Sequence, residues 1–261
     1  MKVRSRSQSK PSIALVEDVI DSAADIRAGI RHLVRVCPVA AAMHARTGDP
    51  PLRRHPGDFS GLARIVVGQQ LSIASAAAIW KRCETTLGSV TAASLAAATE
   101  DALKAAGLSR PKVRTMKALA DAVGSGALDL DRLRTASDDE IHAALTSVSG
   151  IGPWTADIFV MFCLGRRDAW AAGDLALQTG VASAFGLGAR VSALETLEIA
   201  ERWRPWRGVA ARLVWADYAH LRAGRPSREA PAAATIGSGR RDRPESRTRP
   251  QKSKFEKDRK S

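Results

Sequence analysis

Residues 138–178 read DDEIHAALTSVSGIGPWTADIFVMFCLGRRDAWAAGDLALQ, and the fold turns on them. Ser137 stands three residues before Glu140. At that spacing a hydroxyl caps the third amide of a helix while the carboxylate returns to the cap's own amide. A capped helix over 138–147 is therefore expected, running into Ser149-Gly150-Ile151-Gly152. Pro153 suits the first turn of a second helix, 153–164, where its missing N–H costs little. Two glycines around one aliphatic residue permit a tight turn with positive φ and leave backbone amides uncovered. The second helix aims the positive end of its dipole at the same place. This is a helix–hairpin–helix pattern, a sequence-independent grip on a phosphate backbone. Gly-Ile-Gly alone reads equally well as a plain turn with glycine caps; the capping box before it and the proline after it favour the grip.

Outward from this stretch the chain keeps to helical spacing. Ala and Leu are abundant, alternating β-branched runs are scarce, and Gly or Pro clusters punctuate the segments. Helices are expected over 18–28, 30–45, 58–69, 72–87, 93–98, 100–106, 110–124, 129–134, 138–147, 153–164, 174–185, 191–199 and 205–222, with Ser72 as a cap. The first two ranges put a break at Gly29. No convincing strand or internal repeat is present, so the fold class expected is all-α.

Composition excludes several other classes. The 261 residues are 45% hydrophobic, enough for a core, and no apolar run reaches the length of a membrane span. The basic start MKVRSRSQSK lacks the apolar segment and cleavage site of a secretory signal. Cys37, Cys83 and Cys163 are odd in number and far apart, which argues against a disulfide scaffold, a structural zinc site and a four-cysteine iron–sulfur cluster. A cytoplasmic protein with a polyanionic partner is expected. The formal net charge of +13 is uneven. Residues 222–261 hold 13 Lys and Arg against 5 Asp and Glu, residues 1–10 hold four Lys and Arg and no acid, and the body 11–221 nets only +1. The ends 1–10 and 223–261 read as disordered basic segments, either a salt-sensitive grip on phosphates or simple solubilising termini.

Five stretches recur in a known order: FSGLARIVVGQQLS (59–72), LKAAGLSRPKVRTMKALA (103–120), LTSVSGIGPWTADIFVMF (145–162), AWAAGDLALQ (169–178) and RWRPWRGVAARLVW (202–215). Together they resemble the helix–hairpin–helix DNA glycosylase superfamily over about residues 58–218, and within it the bacterial 3-methyladenine DNA glycosylase II branch. The resemblance implies one glycosylase domain, 11–222, in two helical lobes: about 58–165, and 11–57 with 175–222. Only about 57 residues precede the matching region and they read as helix, so the chain looks like the compact form without an extra N-terminal α/β domain.

Asp174 lies 20 residues beyond Trp154. Locally it reads as a cap for the helix DLALQTGVASAF. The resemblance implies that it is also the catalytic carboxylate. Cleaving an N-glycosidic bond builds positive charge on the deoxyribose, and a fixed carboxylate stabilises that charge or orients water. Superfamily members that also cut the strand carry a lysine where this chain has Trp154. The nearby Arg166 and Arg167 stay protonated and make poor Schiff-base nucleophiles. A monofunctional glycosylase is implied.

The chain has six tryptophans. A ring face attracts a cationic alkylated base. The family pattern assigns Trp154 and Trp215 to the substrate pocket, while Trp80, Trp203 and Trp206 read as core. Ile158 and Leu175 stand where relatives often place tyrosines, which widens the range of lesions to be considered. Flipping a base leaves a gap that something must fill. The resemblance places the plug on Gly68-Gln69-Gln70-Leu71-Ser72, with Gln70 as plug and Leu71 its apolar neighbour. The DNA-binding set is thus Gln69, Gln70, Leu71 and Ser72 with Gly150, Ile151 and Gly152. Ser109–Lys112 and Arg204–Arg207 are candidates for further phosphate contacts.

The expected partner is double-stranded DNA holding damaged bases, bound by a monomer in the nucleoid and not by a membrane protein. No redox cofactor and no metal ligand set are expected; relatives hold a monovalent cation at the hairpin carbonyls, and the resemblance extends that option here. Two other readings stay open at this point. One is a glycosylase for hypoxanthine, uracil or an oxidised base. The other is a non-catalytic helix–hairpin–helix DNA-binding protein.

Overall fold

The computed structural model describes residues 19–223. The basic ends expected over 1–10 and 223–261 lie outside the described residues, Ala223 excepted. The described residues form the helices α1 (Ala23–Val36), α2 (Pro38–Thr47), α3 (Phe59–Gly68), α4 (Ile73–Leu87), α5 (Ala92–Ala97), α6 (Glu100–Ala105), α7 (Arg110–Gly124), α8 (Leu130–Leu133), α9 (Asp138–Thr146), α10 (Pro153–Phe159), α11 (Leu175–Ala184), α12 (Ala193–Ala200) and α13 (Arg207–Ala223). Among them there is no strand; Val19 and Arg166 form one isolated antiparallel bridge. The fold is all-α. α3, α4, α6, α5, α7, α9 and α10 pack in a chain of neighbours, and α13 gathers α1, α2 and α11, with α12 against α11.

Short-range chemistry sets most boundaries. Ser22, Thr91, Ser137 and Ser192 each close a capping box, and Asp58, Ser72 and Asp174 cap α3, α4 and α11 through their side chains. The expected break at Gly29 is absent. Gly29 lies inside α1, where an added Cβ would stand 2.6 Å from Val209 and 2.8 Å from Trp206. The glycine serves close helix contact with α13, and the break falls instead at Cys37, before Pro38, whose ring cannot continue a helix.

The segment expected as one helix over 153–164 is α10 followed by a π-helical turn, Val160–Leu164, which ends at Gly165 with φ 74°. Every residue of that turn is buried. Arg212, 3% exposed, packs against it, donating to the carbonyl oxygens of Leu52, Gly208 and Met161 at 2.9, 2.7 and 3.2 Å. Three charge-assisted donations account for a guanidinium in the core.

Between α9 and α10 the His142 Nε2 lies 3.0 Å from the Asp157 carboxylate. Burial pushes the Asp157 carboxyl up to about 6, and the nearby His142 opposes that shift. A raised carboxyl favours the fold while it is protonated, so its contribution is full below pH 3.8 and is lost as pH rises through about 6. Asp157→Asn, neutral at every pH, is expected to match the parent near pH 4 and to exceed its thermal stability above pH 7, where the parent must bury the ionised carboxylate. Melting curves across that range check it; a pH-independent difference counts against the burial cause.

Candidate active site at the start of α10

The hairpin joining α9 to α10 is built as its glycines suggest, but the two glycines do different work. Gly150 has φ 85°, in the left-handed region, and a Cβ there would fall 1.8 Å from Thr115 Oγ1 on α7. Gly152 has an ordinary φ of −103° and nothing within 4 Å of a built Cβ. Gly150 is required by the packing of the protein, whereas Gly152 faces open space. Ile151 is 4% exposed, so its side chain anchors the hairpin in the core. The expectation of Ile151 as a DNA contact narrows to its backbone. Gly152 is the N-cap of α10 and makes no side-chain cap bond; Pro153 has no amide hydrogen and the Thr155 and Ala156 amides donate to the Gly152 carbonyl, so the amides of Gly152 and Trp154 are the ones placed to meet an anion.

The first turn of α10 also organises the carboxylate. Trp154 Nε1 donates to Asp174 Oδ2 at 2.9 Å, and Trp215 Nε1, from α13, donates to Asp174 Oδ1 at 3.0 Å. Asp174 Oδ1 also accepts the Leu177 amide at 2.7 Å as the cap of α11. The carboxylate is half-buried and three donors fix its orientation, while Gly173 and Leu175 on either side are exposed. The structure therefore brings together Asp174, Trp154 and Trp215. It also gives the tryptophans a task that their expected role as ring faces did not include, as N–H donors to the acid. One face of Trp215 stacks on Phe162, centroids 5.7 Å apart, and the Arg212 guanidinium lies 4.7 Å from the centre of the Phe162 ring. Phe162 escaped the reading of the sequence, since an aromatic in the apolar run IFVMF carries no sign of which partner it meets.

Other expectations change in detail. Ile158 is 7% exposed and belongs to the core, while Leu175 is 59% exposed beside the acid. Gln70 to Ser75 are all exposed, and Gln70 itself has φ 56°, unusual for a side-chain-bearing residue. The Gln69 side chain turns inward, donating to Thr155 Oγ1 at 3.0 Å and to the Gly150 carbonyl at 3.4 Å, so it is not presented with its neighbour. Ser72 is committed as the α4 cap, accepting the Ser75 amide at 3.2 Å. The first turn of α10 thus links the hairpin, the exposed turn and the acid. The Lys112 ammonium is bound to the Val67 and Gln69 carbonyls rather than left free, and Arg204 and Arg207 are engaged with Asp168 and Glu201. Trp80, Trp170 and Trp203 are buried.

A cavity of about 350 Å³, lined by Arg54, Arg134, Asp138, Arg166 and Asp168 among others, lies beside Cys163 and Leu164, at the end of the α10 segment away from the hairpin. It does not include Asp174. No group of His, Cys, Asp and Glu suited to a metal ion occurs among the described residues, and no described helix is long and apolar enough to cross a membrane.

Comparison with known proteins bears on the family and the fold. The family described as the HhH-GPD superfamily of base excision DNA repair proteins matches residues 63–205. DNA-3-methyladenine glycosylase 1 of Schizosaccharomyces pombe is 28% identical over 169 residues, spanning 61% of this chain and 74% of the relative. Among solved structures, the S. pombe 3-methyladenine DNA glycosylase in complex with abasic DNA superposes with a TM-score of 0.67 at 25% identity, covering 72% of this chain and 95% of that one. A DNA-3-methyladenine glycosidase from Bacillus halodurans gives 0.63 at 29% identity, over 79% and 94%.

Proposed function

The chain belongs to the HhH-GPD superfamily of base excision DNA repair proteins, and from that premise we propose that it is a monofunctional DNA glycosylase hydrolysing the N-glycosidic bond of alkylated purines such as 3-methyladenine. The observation that carries this reading is the Asp174 carboxylate, held on both oxygens by indole N–H groups and placed next to the hairpin through Trp154.

In the proposed reaction the hairpin amides around Gly152 take a phosphate of the duplex, Gln70 enters the gap left by the flipped nucleotide, and the sugar lies against Asp174. As the bond to the base lengthens, the electron pair leaves with the base and positive charge grows on the sugar. A carboxylate already oriented by three donors stabilises that charge without reorganising, and water completes the hydrolysis. An N-alkylated purine is itself cationic and leaves readily, so the site needs no dedicated acid. The relatives' names, as 3-methyladenine glycosylases, support the alkylated substrate. The indole at position 154 supports hydrolysis without strand cutting, since it offers no amine for a Schiff base. The reaction as proposed uses no redox cofactor.

The test is a panel of duplexes holding 3-methyladenine, 7-methylguanine, hypoxanthine, uracil or 8-oxoguanine. Release of the methylated purines is expected, with strand breaks appearing only after heat and alkali. Breaks without that treatment would overturn the monofunctional reading. Preferential release of hypoxanthine, uracil or 8-oxoguanine would overturn the alkylated substrate.

A further inference from the structure

Lys112 occupies the third position of α7, whose first residue is Arg110. A cation there opposes the helix dipole, so the stability of α7 does not explain the choice. Its stem is half-buried, and burial pulls the ammonium below the usual lysine range. The ammonium donates to the Val67 carbonyl at 2.6 Å and to the Gln69 carbonyl at 2.7 Å. These oxygens lie at the C-terminal end of α3, where helix carbonyls lack partners, and they flank the bend that leads to Gln70.

Gln70 is held at φ 56°, with its side chain in solvent. A side-chain-bearing residue persists in that conformation only where its surroundings over-determine it. Two constraints do so here: Lys112 on the carbonyls before the bend, and the Gln69 amide on Thr155 Oγ1 and the Gly150 carbonyl. The first braces the turn against α7, the second against the hairpin.

We propose that Lys112 is a positioning residue for base flipping: bound to the Val67 and Gln69 carbonyls, it holds the turn in the conformation that presents Gln70, and Gln69 carries that constraint to the phosphate-binding hairpin. Docking of the hairpin on the backbone then sets the depth and direction at which Gln70 enters the stack. The inference rests on the reading of Gln70 as the inserting residue.

The experiment uses the full chain and a duplex with 2-aminopurine beside an abasic analogue, whose fluorescence rises when stacking is broken, together with single-turnover release of 3-methyladenine. Lys112→Met is expected to reduce the fluorescence rise and to slow release by about tenfold, the scale of a lost charge-assisted bond in a positioning role. Affinity for undamaged duplex and its salt dependence should stay at the parent values, and Lys112→Arg should restore part of the signal. A salt slope reduced by about one would mark Lys112 as a phosphate contact and overturn the proposal, as would unchanged release. Gln70→Ala separates the two levels. If it leaves the fluorescence unchanged, the insertion reading itself fails; if it abolishes the rise while Lys112→Met does not, only the present proposal fails. Should Lys112→Met not fold, Thr155→Val provides the check: removing the acceptor of the Gln69 amide must also weaken the fluorescence rise, and an unaltered rise overturns the coupling.

Discussion

Asp174→Asn is expected to lower the rate of base release by about a thousandfold, the scale of removing a preorganised charge from a developing cation, while the protein folds and still binds duplex DNA. Folding survives because asparagine caps a helix nearly as well as aspartate, so the bond to the Leu177 amide persists. The local geometry does not survive unchanged. Asp174 accepts on both oxygens, from Trp215 and Leu177 on one and from Trp154 on the other. An asparagine oxygen serves the side with two donors, which turns its NH₂ group toward the Trp154 N–H, donor against donor. A part-buried donor left without an acceptor costs about 1–3 kcal/mol, so a melting temperature several degrees lower should accompany the lost activity. Single-turnover release on methylated duplex, with melting and binding as controls, checks the result. Release at the parent rate would remove Asp174 from the chemistry; no release by either protein, with duplex binding kept by both, would leave a non-catalytic DNA-binding protein as the better description.

The second large effect separates the glycines of the hairpin. Gly150→Ala meets Thr115 Oγ1 at 1.8 Å and must hold φ 85°. Left-handed strain of roughly 1–2 kcal/mol and overpacking of roughly 1–3 kcal/mol together predict a loss of about 2–5 kcal/mol in stability. Gly152→Asp meets nothing within 4 Å at an ordinary φ, so its stability should change by less than about 0.5 kcal/mol. Its carboxylate caps the α10 amides that a phosphate would take and repels that phosphate as well. Affinity for undamaged duplex should fall by about tenfold or more at low salt, and less at high salt where the repulsion is screened. Thermal melting and fluorescence anisotropy on the same two variants read the contrast. If Gly152→Asp binds as the parent does, the hairpin is not the grip; if Gly150→Ala melts as the parent does, Gly150 has no structural duty.

Much of the fold was legible because its signals act over three or four residues. Ser137 with Glu140, Ser72 before α4 and Pro153 after Gly152 each state a boundary in a few letters, and each boundary stands where those letters put it. Gly29 shows the limit of the same reasoning. A glycine inside a helical pattern reads as a break, yet here its bare Cα accommodates α13, some 180 residues along the chain. The site was legible in part. Asp174, Trp154 and Trp215 could be named from the order of the motifs and are drawn together by hydrogen bonds. That the indoles serve the acid through their N–H groups was not visible, since residue type gives the chemistry of a side chain and not its direction.

The same distinction divides what each level of description determined. The sequence by itself determined an all-helical chain, the place of the hairpin and the nearly neutral balance of the body under a +13 total, because caps, turns and composition depend on neighbours along the chain; the candidate acid came from resemblance to a known family. Only the tertiary structure decided that Gly150 backs onto α7 while Gly152 faces open space, that Ile151 and Ile158 lie in the core, that Gln69 turns in while Gln70 turns out, and that Lys112 is held by carbonyls rather than left for phosphate. Each of these is a matter of which way a side chain points and what stands opposite it, and that is set by the packing of helices remote in sequence.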